Sequence, residues 1–308
     1  MKTPPPDPAG KSARPELYPV VPLHGEGPQL RPKTAGRFRH EYHHVYAEAH
    51  GAALFMDVFH PPRPNGLGII DVVSTAWHSG RAQIYEHLGL GIYDTLCDQG
   101  YTVFALCPGS ATQYTALQLA QHVRAGIRYI KARHETWQIA PHRLGLFGAS
   151  AGGHLAALAA LQPEDPHLAT RNPFLKLDTR VAAVALFFAP ADLLDFWGQP
   201  LVVEVIAGRP VPKLIFEDGI SSHSPEEIRT RLREISPAHL VIQSPPPCLL
   251  FHGDADPLVP LEQSERLVDH LRSAGGSVKL RVKAGGGHPW PNIAAEAREA
   301  GEWFRELL

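Results

Sequence analysis

Leu144-Gly145-Leu146-Phe147-Gly148-Ala149-Ser150-Ala151-Gly152-Gly153-His154-Leu155-Ala156-Ala157-Leu158 is the stretch that decides the fold. Its first four residues form a short apolar run of strand character, and the residues after Ser150 read as an alanine- and leucine-rich helix. The serine therefore falls at a strand-to-helix turn, and Gly148-Ala149-Ser150-Ala151-Gly152 is a G-x-S-x-G nucleophile elbow in the context that pattern requires. Gly148 and Gly152 lack side chains where strand and helix pass closest, so the turn can hold Ser150 in strain with its Oγ exposed. The amides that follow, Ala151 first, then point at the reacting centre. The competing reading is a glycine-serine turn that merely caps a helix.

A serine hydroxyl attacks only when a base takes its proton, and the base needs a carboxylate to fix its tautomer. Downstream, Leu249-Leu250-Phe251-His252-Gly253-Asp254-Ala255-Asp256-Pro257-Leu258-Val259-Pro260 leaves a strand and turns toward a helix, which places two acids at the strand's C-terminal end. Lys283-Ala284-Gly285-Gly286-Gly287-His288-Pro289-Trp290 leaves the next strand and offers a histidine on a glycine-rich loop. The order serine, acid, histidine is the one this elbow calls for.

Taken together, Gly148 to Ala156, His252 to Pro260 and Gly287-His288 resemble the esterase and prolyl-oligopeptidase-like branch of the α/β-hydrolases, which includes acetyl-xylan and feruloyl-type esterases. The resemblance runs from about Phe38 to the C-terminus. It implies a mostly parallel central sheet with helices on both faces, a small cap insertion, and Ser150, Asp256 and His288 as the catalytic residues. It puts the acid four positions after the histidine of H-G-x-x-D, on Asp256, and leaves Asp254 as a turn-former. One segment departs from the family. Its oxyanion loop usually reads H-G-G-G-W, whereas Val73-Ser74-Thr75-Ala76-Trp77-His78-Ser79-Gly80 stands here. Oxyanion donors are therefore expected from the Ala151 amide and from the amide of Thr75 or Ala76, with hydroxyls of Ser74, Thr75 or Ser79 as substitutes. Thr75, being β-branched, resists positive φ.

Outward from the elbow, the pattern alternates as βαβ units do. Two strand-like runs, Phe38 to Glu48 and Ala52 to Phe59, meet at His50-Gly51 and predict a hairpin. Leu67 to Val73, Tyr101 to Leu106, Val181 to Phe188, Cys248 to Phe251 and Val278 to Val282 read as strands. Helices are expected over Ile84 to Asp98, Leu117 to Ala132 and Ile293 to Leu308. Ala191 to Gln243 breaks the rhythm and is expected to be the cap, with a polar helix over Pro225 to Glu234. Residues 1–36 are dense in proline and predict an extended arm, leaving 37–308 as the catalytic domain. Asp71, inside an otherwise apolar strand, needs a partner or a solvated strand end.

Composition narrows the function. At 308 residues with 44% hydrophobic and 19% charged residues, the chain has the apolar material to cover a sheet on both faces. A net charge of −2 with both signs interspersed gives no footprint for nucleic acid or an anionic bilayer. No apolar run reaches the ~18 residues of a membrane span and no signal-like stretch opens the chain, so the expected compartment is the cytoplasm. The three cysteines are widely spaced and read as core residues. Of the eighteen histidines, His40, His43, His44 and His50 lie close together without a ligand spacing, so neither metal nor cofactor is expected. His154 and His252 read as hydrogen-bonding residues of loops and helix starts. Trp77, Trp197 and Trp290 fall in loops at the catalytic edge and are candidates for an acyl or aryl pocket, although Trp290 could equally pack beneath the last helix. The expected substrate is a small-molecule ester. The alternatives are a prolyl-oligopeptidase-like serine peptidase and a non-catalytic ligand-binding protein of the same fold.

Overall fold

Runs rich in β-branched and aromatic residues, cut by glycine and proline, become strands that alternate with helices in the computed structural model, which describes residues 38–308. The proline-rich arm expected over 1–36 lies outside the described residues. The hairpin is β1 (Arg39–Ala49) and β2 (Ala52–His60), followed by β3 (Gly68–Val72), α1 (Arg81–Gly89), α2 (Ile92–Asp98) and β4 (Thr102–Leu106). Next come α3 (Ala116–Ala132), the short α4 (His134–Trp137), β5 (Leu144–Ala149), α5 (Ala151–Leu161) and β6 (Ala183–Phe187). A separate ribbon, β7 (Val205–Ile206) with β8 (Arg209–Pro210), and α6 (Pro225–Glu234) precede β9 (Cys248–Gly253), α7 (Glu262–Ser273), β10 (Val278–Lys283) and α8 (Ala294–Leu307).

Eight strands form one sheet in the order β1-β2-β4-β3-β5-β6-β9-β10. The pairings β1/β2 and β2/β4 are antiparallel and all others are parallel. Because side chains alternate across a strand, Ile70, Val72, Phe104, Leu146 and Leu250 pack on one face with α3, α5 and α7. Ile69, Val103, Phe147, Phe187 and Phe251 pack on the other with α1, α2 and α8. This is the α/β-hydrolase arrangement. Every residue of α5 is buried, as a helix apolar on all sides but for His154 must be. Amphipathic α3 and α6 open with capping boxes, Thr115 with Gln118 and Ser224 with Glu227.

The single helix expected over Ile84 to Asp98 is instead two. Gly91 adopts φ 75°, a left-handed conformation that ends one helical path and starts another. Asp71, wholly buried on β3, has its partners on those two helices: His87 Nδ1–H and the Tyr93 hydroxyl both donate to Oδ2 at 2.7 Å. Burial alone would lower the His87 pKa, but the Asp71 carboxylate outweighs it and holds the imidazole above its ordinary value.

Between β6 and β9 the chain crosses the loops that follow the C-terminal ends of the strands. Lys213 N–H and the Leu214 carbonyl bond the backbone of Ala111 and Ala116 beyond β4. Gln263 Oε1 accepts from the amides of Ala191 and Asp192, and Arg266 pairs with both Asp192 and Asp195. Among the described residues, no helix is long and apolar enough to cross a membrane.

Tyr93→Phe removes one of the two donors to a carboxylate that water does not reach. A loss of about 1–3 kcal/mol in urea unfolding is expected; an unchanged midpoint would show that the Asp71 cluster does not hold α2 to the sheet.

Candidate active site

Ser150 sits between β5 and α5 at φ 52° and ψ −126°, a conformation that L-residues with side chains rarely adopt. Several bonds over-determine it. Ser150 N–H donates to the Phe187 carbonyl on β6 at 2.8 Å, and Gly152 N–H donates to the Ser74 carbonyl beyond β3 at 3.1 Å. A Cβ at Gly152 would lie 2.1 Å from the Val72 carbonyl oxygen, so only glycine lets α5 start this close to β3. The hydroxyl is thereby lifted above the sheet, and the Ala151 amide, first of α5, has no carbonyl four residues back within the helix.

The Ser150 hydroxyl donates to His288 Nε2 at 2.9 Å, and His288 Nδ1–H donates to Asp256 Oδ2 at 2.7 Å. Asp256 is buried, and its Oδ1 accepts from the amides of Leu258 and Val259 at 2.8 and 2.9 Å. Burial pushes this carboxyl up, but the His288 bond and the two amides outweigh burial and leave its pKa below the usual aspartate value. It is thus held as the anion that an imidazolium would need.

Asp254 occupies a different place. Exposed, it accepts the Gly285 amide at 2.6 Å, while its own amide donates to the Lys283 carbonyl. It ties the histidine loop to β9 without reaching His288. Gly253 is needed there because a Cβ would fall 2.1 Å from the Gly286 oxygen. Beneath the acid loop, buried His252 bonds the Ser264 hydroxyl and the Val259 carbonyl. Phe188, which the sequence did not single out, packs its ring 4.3 Å from that of His288 and adopts φ 39°. Its place just past the end of β6 is a signal for it.

The segment after β3 corrects three expectations. Thr75 N–H donates to the His78 carbonyl at 2.9 Å, and His78 N–H returns the bond, so the Thr75 amide is not available to an oxyanion. The two residues between them, Ala76 and Trp77, have φ 48° and 56°: the strain falls on Ala76 and Trp77 rather than Thr75, as in a two-residue I′ hairpin turn. Of the substitute hydroxyls, Thr75 Oγ1 is committed to Glu86 and Ser79 Oγ to the Val73 carbonyl, while Ser74 Oγ is buried without a hydrogen-bond partner. Trp77 is no pocket wall: its buried indole donates to His154 Nδ1 at 3.0 Å. Trp290 is likewise buried against Phe188 and donates to Glu296 of α8, the packing role weighed for it. Trp197 differs, since it is 57% exposed and its indole donates to the Leu258 carbonyl at 3.3 Å, next to the Asp256 loop. Among the described residues, no cluster of three His, Cys, Asp or Glu side chains is arranged to hold a metal ion.

The BD-FAE family model matches residues 56–271 of this chain. Esterase LipC of Mycobacterium tuberculosis is 28% identical over 269 residues, covering 85% of this chain and 64% of LipC. Probable carboxylic ester hydrolase LipM of the same organism is 26% identical over 241 residues, covering 76% and 52%. The chain thus spans between about half and two thirds of the length of these two relatives. A solved truncated form of a carbohydrate esterase from gut microbiota shares the fold, with a TM-score of 0.70 at 22% identity over 87% of this chain and 96% of that one.

The titration of the buried and half-buried histidines gives an acid limit. Burial is the largest influence on His60, His78, His122, His154 and His252, and lowers all five below 6.5, His154 to about 4. In the folded protein they stay neutral at pH values where the unfolded chain binds protons, so their contribution is complete above pH 6.5 and is lost as the pH falls through their lowered values, for His154 about 4. His87, shifted upward, works in the opposite direction. The melting temperature is expected to fall steadily from pH 7 to pH 4.5; a flat or rising profile in differential scanning fluorimetry would contradict this.

Proposed function

The chain belongs to the BD-FAE family, and from that membership and the site geometry we propose that it is a serine carboxylesterase acting on small or aryl esters, with Ser150, His288 and Asp256 as its catalytic residues. The observation that carries this is the unbroken line of hydrogen bonds from Ser150 Oγ through His288 to a buried, ionised Asp256. In the proposed cycle, Ser150 Oγ bonds to the ester carbonyl carbon while its proton passes to His288 Nε2. The carbonyl oxygen becomes an oxyanion facing the Ala151 amide and, in this reading, the Ala76 amide. Collapse breaks the bond to the alcohol, which leaves with the proton from His288. Water, deprotonated by His288, then releases the acid and restores the serine. Nucleophile, base and acid all come from the chain, and no cofactor enters the scheme.

Residues 191–243 act as the cap in this reading, supported by their bonds to the loops after β4 and to Gln263 on α7. Trp197, exposed beside the acid loop, is the remaining aromatic candidate for the substrate. The esterase reading is preferred to peptidase or binding scaffold because the matched relatives are named esterase and carboxylic ester hydrolase. Three buried, unpaired cysteines support the cytoplasmic expectation.

Ester hydrolysis by the two aspartate variants separates their roles. With p-nitrophenyl acetate, Asp256→Asn is expected to lower kcat by roughly 10³–10⁴, because an amide cannot hold His288 in the right tautomer. Asp254→Asn should cost far less, since it acts on backbone amides. Equal losses in the two variants, or turnover surviving in Ser150→Ala, would overturn the assignment.

A further inference from the structure

Beyond the hydrogen-bonded line that ends at Ser150, a second histidine sits one helical turn along from the nucleophile. His154 is fully buried in α5 and uses both ring nitrogens. Nδ1 faces the Trp77 indole at 3.0 Å, and Nε2 faces the Ile235 carbonyl at 2.7 Å. These partners fix its state without ambiguity. An indole N–H only donates and a carbonyl oxygen only accepts, so Nδ1 must be the bare acceptor and Nε2 must carry the proton. A second proton would set N–H against N–H. Burial agrees, since it drives the imidazole pKa down to about 4 against the opposing influence of the Ile235 carbonyl.

What each partner belongs to gives the arrangement its meaning. Trp77 is the second central residue of the tight turn after β3, where both Ala76 and Trp77 stand at positive φ with side chains that disfavour it. Such a turn keeps its shape only if something outside it does the holding. The Trp77 carbonyl accepts the Ala111 amide, and its indole is held by His154. Ile235 follows α6 in the excursion between β6 and β9. Two further ring N–H groups join that excursion to the site loops: His78 donates to the Pro210 carbonyl at 2.8 Å, and Trp197 to that of Leu258. His154 is the residue that touches nucleophile helix, oxyanion turn and excursion at once.

We propose that His154 is a positioning residue for the reaction, locking the Trp77 indole so that the Ala76 amide is aimed at the oxyanion, with its own ring oriented by the Ile235 carbonyl. The inference rests on the serine esterase reading. It acts through Trp77 and never meets substrate.

Two substitutions divide the ring's two bonds. In His154→Asn the side-chain oxygen stands near the place of Nδ1 and can still accept from Trp77. In His154→Gln the amide nitrogen reaches the place of Nε2, and the acceptor for Trp77 is gone. Trp77→Phe removes the same donor from the other side while keeping the aromatic volume. With p-nitrophenyl acetate, Gln and Phe variants are expected to lose about ten- to a hundredfold in kcat with KM little changed, the signature of an interaction made in the transition state. The Asn variant should stay within about threefold of the parent, in line with its retained acceptor. Unaltered kcat in both His154→Gln and Trp77→Phe would overturn the proposal, as would an Asn variant as impaired as Gln. Exchange of the Trp77 indole proton, followed by NMR, reads the link without catalysis: it should be slow in the parent and the Asn variant and fast in the Gln variant, and equal rates in all three would also overturn it. A parent enzyme with no ester turnover would instead remove the esterase reading, and the positioning role with it.

Discussion

The approach of α5 to β3 is the constraint on which the rest of the site depends. At Gly152 the backbone lies so close to the Val72 carbonyl that a Cβ would intrude to 2.1 Å. That contact allows Gly152 N–H to bond the Ser74 carbonyl, which fixes the segment after β3 to the first turn of the nucleophile helix. It also forces the chain to turn through Ser150 at positive φ, a strain of roughly 1–3 kcal/mol that the surrounding sheet must sustain. The geometry of hydroxyl, first helical amide and the turn after β3 is therefore a single packing problem, solved once at the centre of the sheet.

A second consequence concerns how the loops are joined. The acid and histidine loops meet through Gly253 and Gly286 and through the Asp254 carboxylate on Gly285, so Asp256 and His288 share one scaffold. His252, buried underneath, ties the end of β9 to the start of α7. Ring N–H bonds join the excursion between β6 and β9 to the turn after β3 through His78, to α5 through His154 and to the acid loop through Trp197. Each such bond is directional, so a shift of the excursion is felt at the turn holding Ala76 and Trp77 as well as at the acid loop.

The fold was legible because its signals are periodic and ordered. Leu144 to Phe147 running into Ser150 and an alanine-leucine helix, with strands and helices alternating around it, implies the mostly parallel sheet covered on both faces that the structure has, although the order of its strands comes from the structure alone. Boundaries that depended on one backbone angle were not legible, as at Gly91, where a helix read as continuous divides in two. The partners of Asp71 were out of reach for the same kind of reason, since His87 and Tyr93 meet it only after α1 and α2 have packed. The loops show the limit most plainly. Trp77, Trp197 and Trp290 carry the same chemistry in sequence, yet two are buried and one is exposed, because burial is decided by packing in three dimensions: the Trp77 indole meets His154, distant along the chain, and Trp290 packs on Phe188. Thr75 was a reasonable donor until the paired bonds with His78 used its amide.

The most direct test of the central claim is to treat the protein with an organophosphate ester that transfers a diethyl phosphoryl group, then locate the adduct by peptide mass spectrometry. One adduct per chain, confined to the peptide bearing Ser150 and formed far more slowly in His288→Ala, is the expected result. Modification at another residue, or none after prolonged exposure, would contradict the claim that the strained serine and its histidine form the reacting pair.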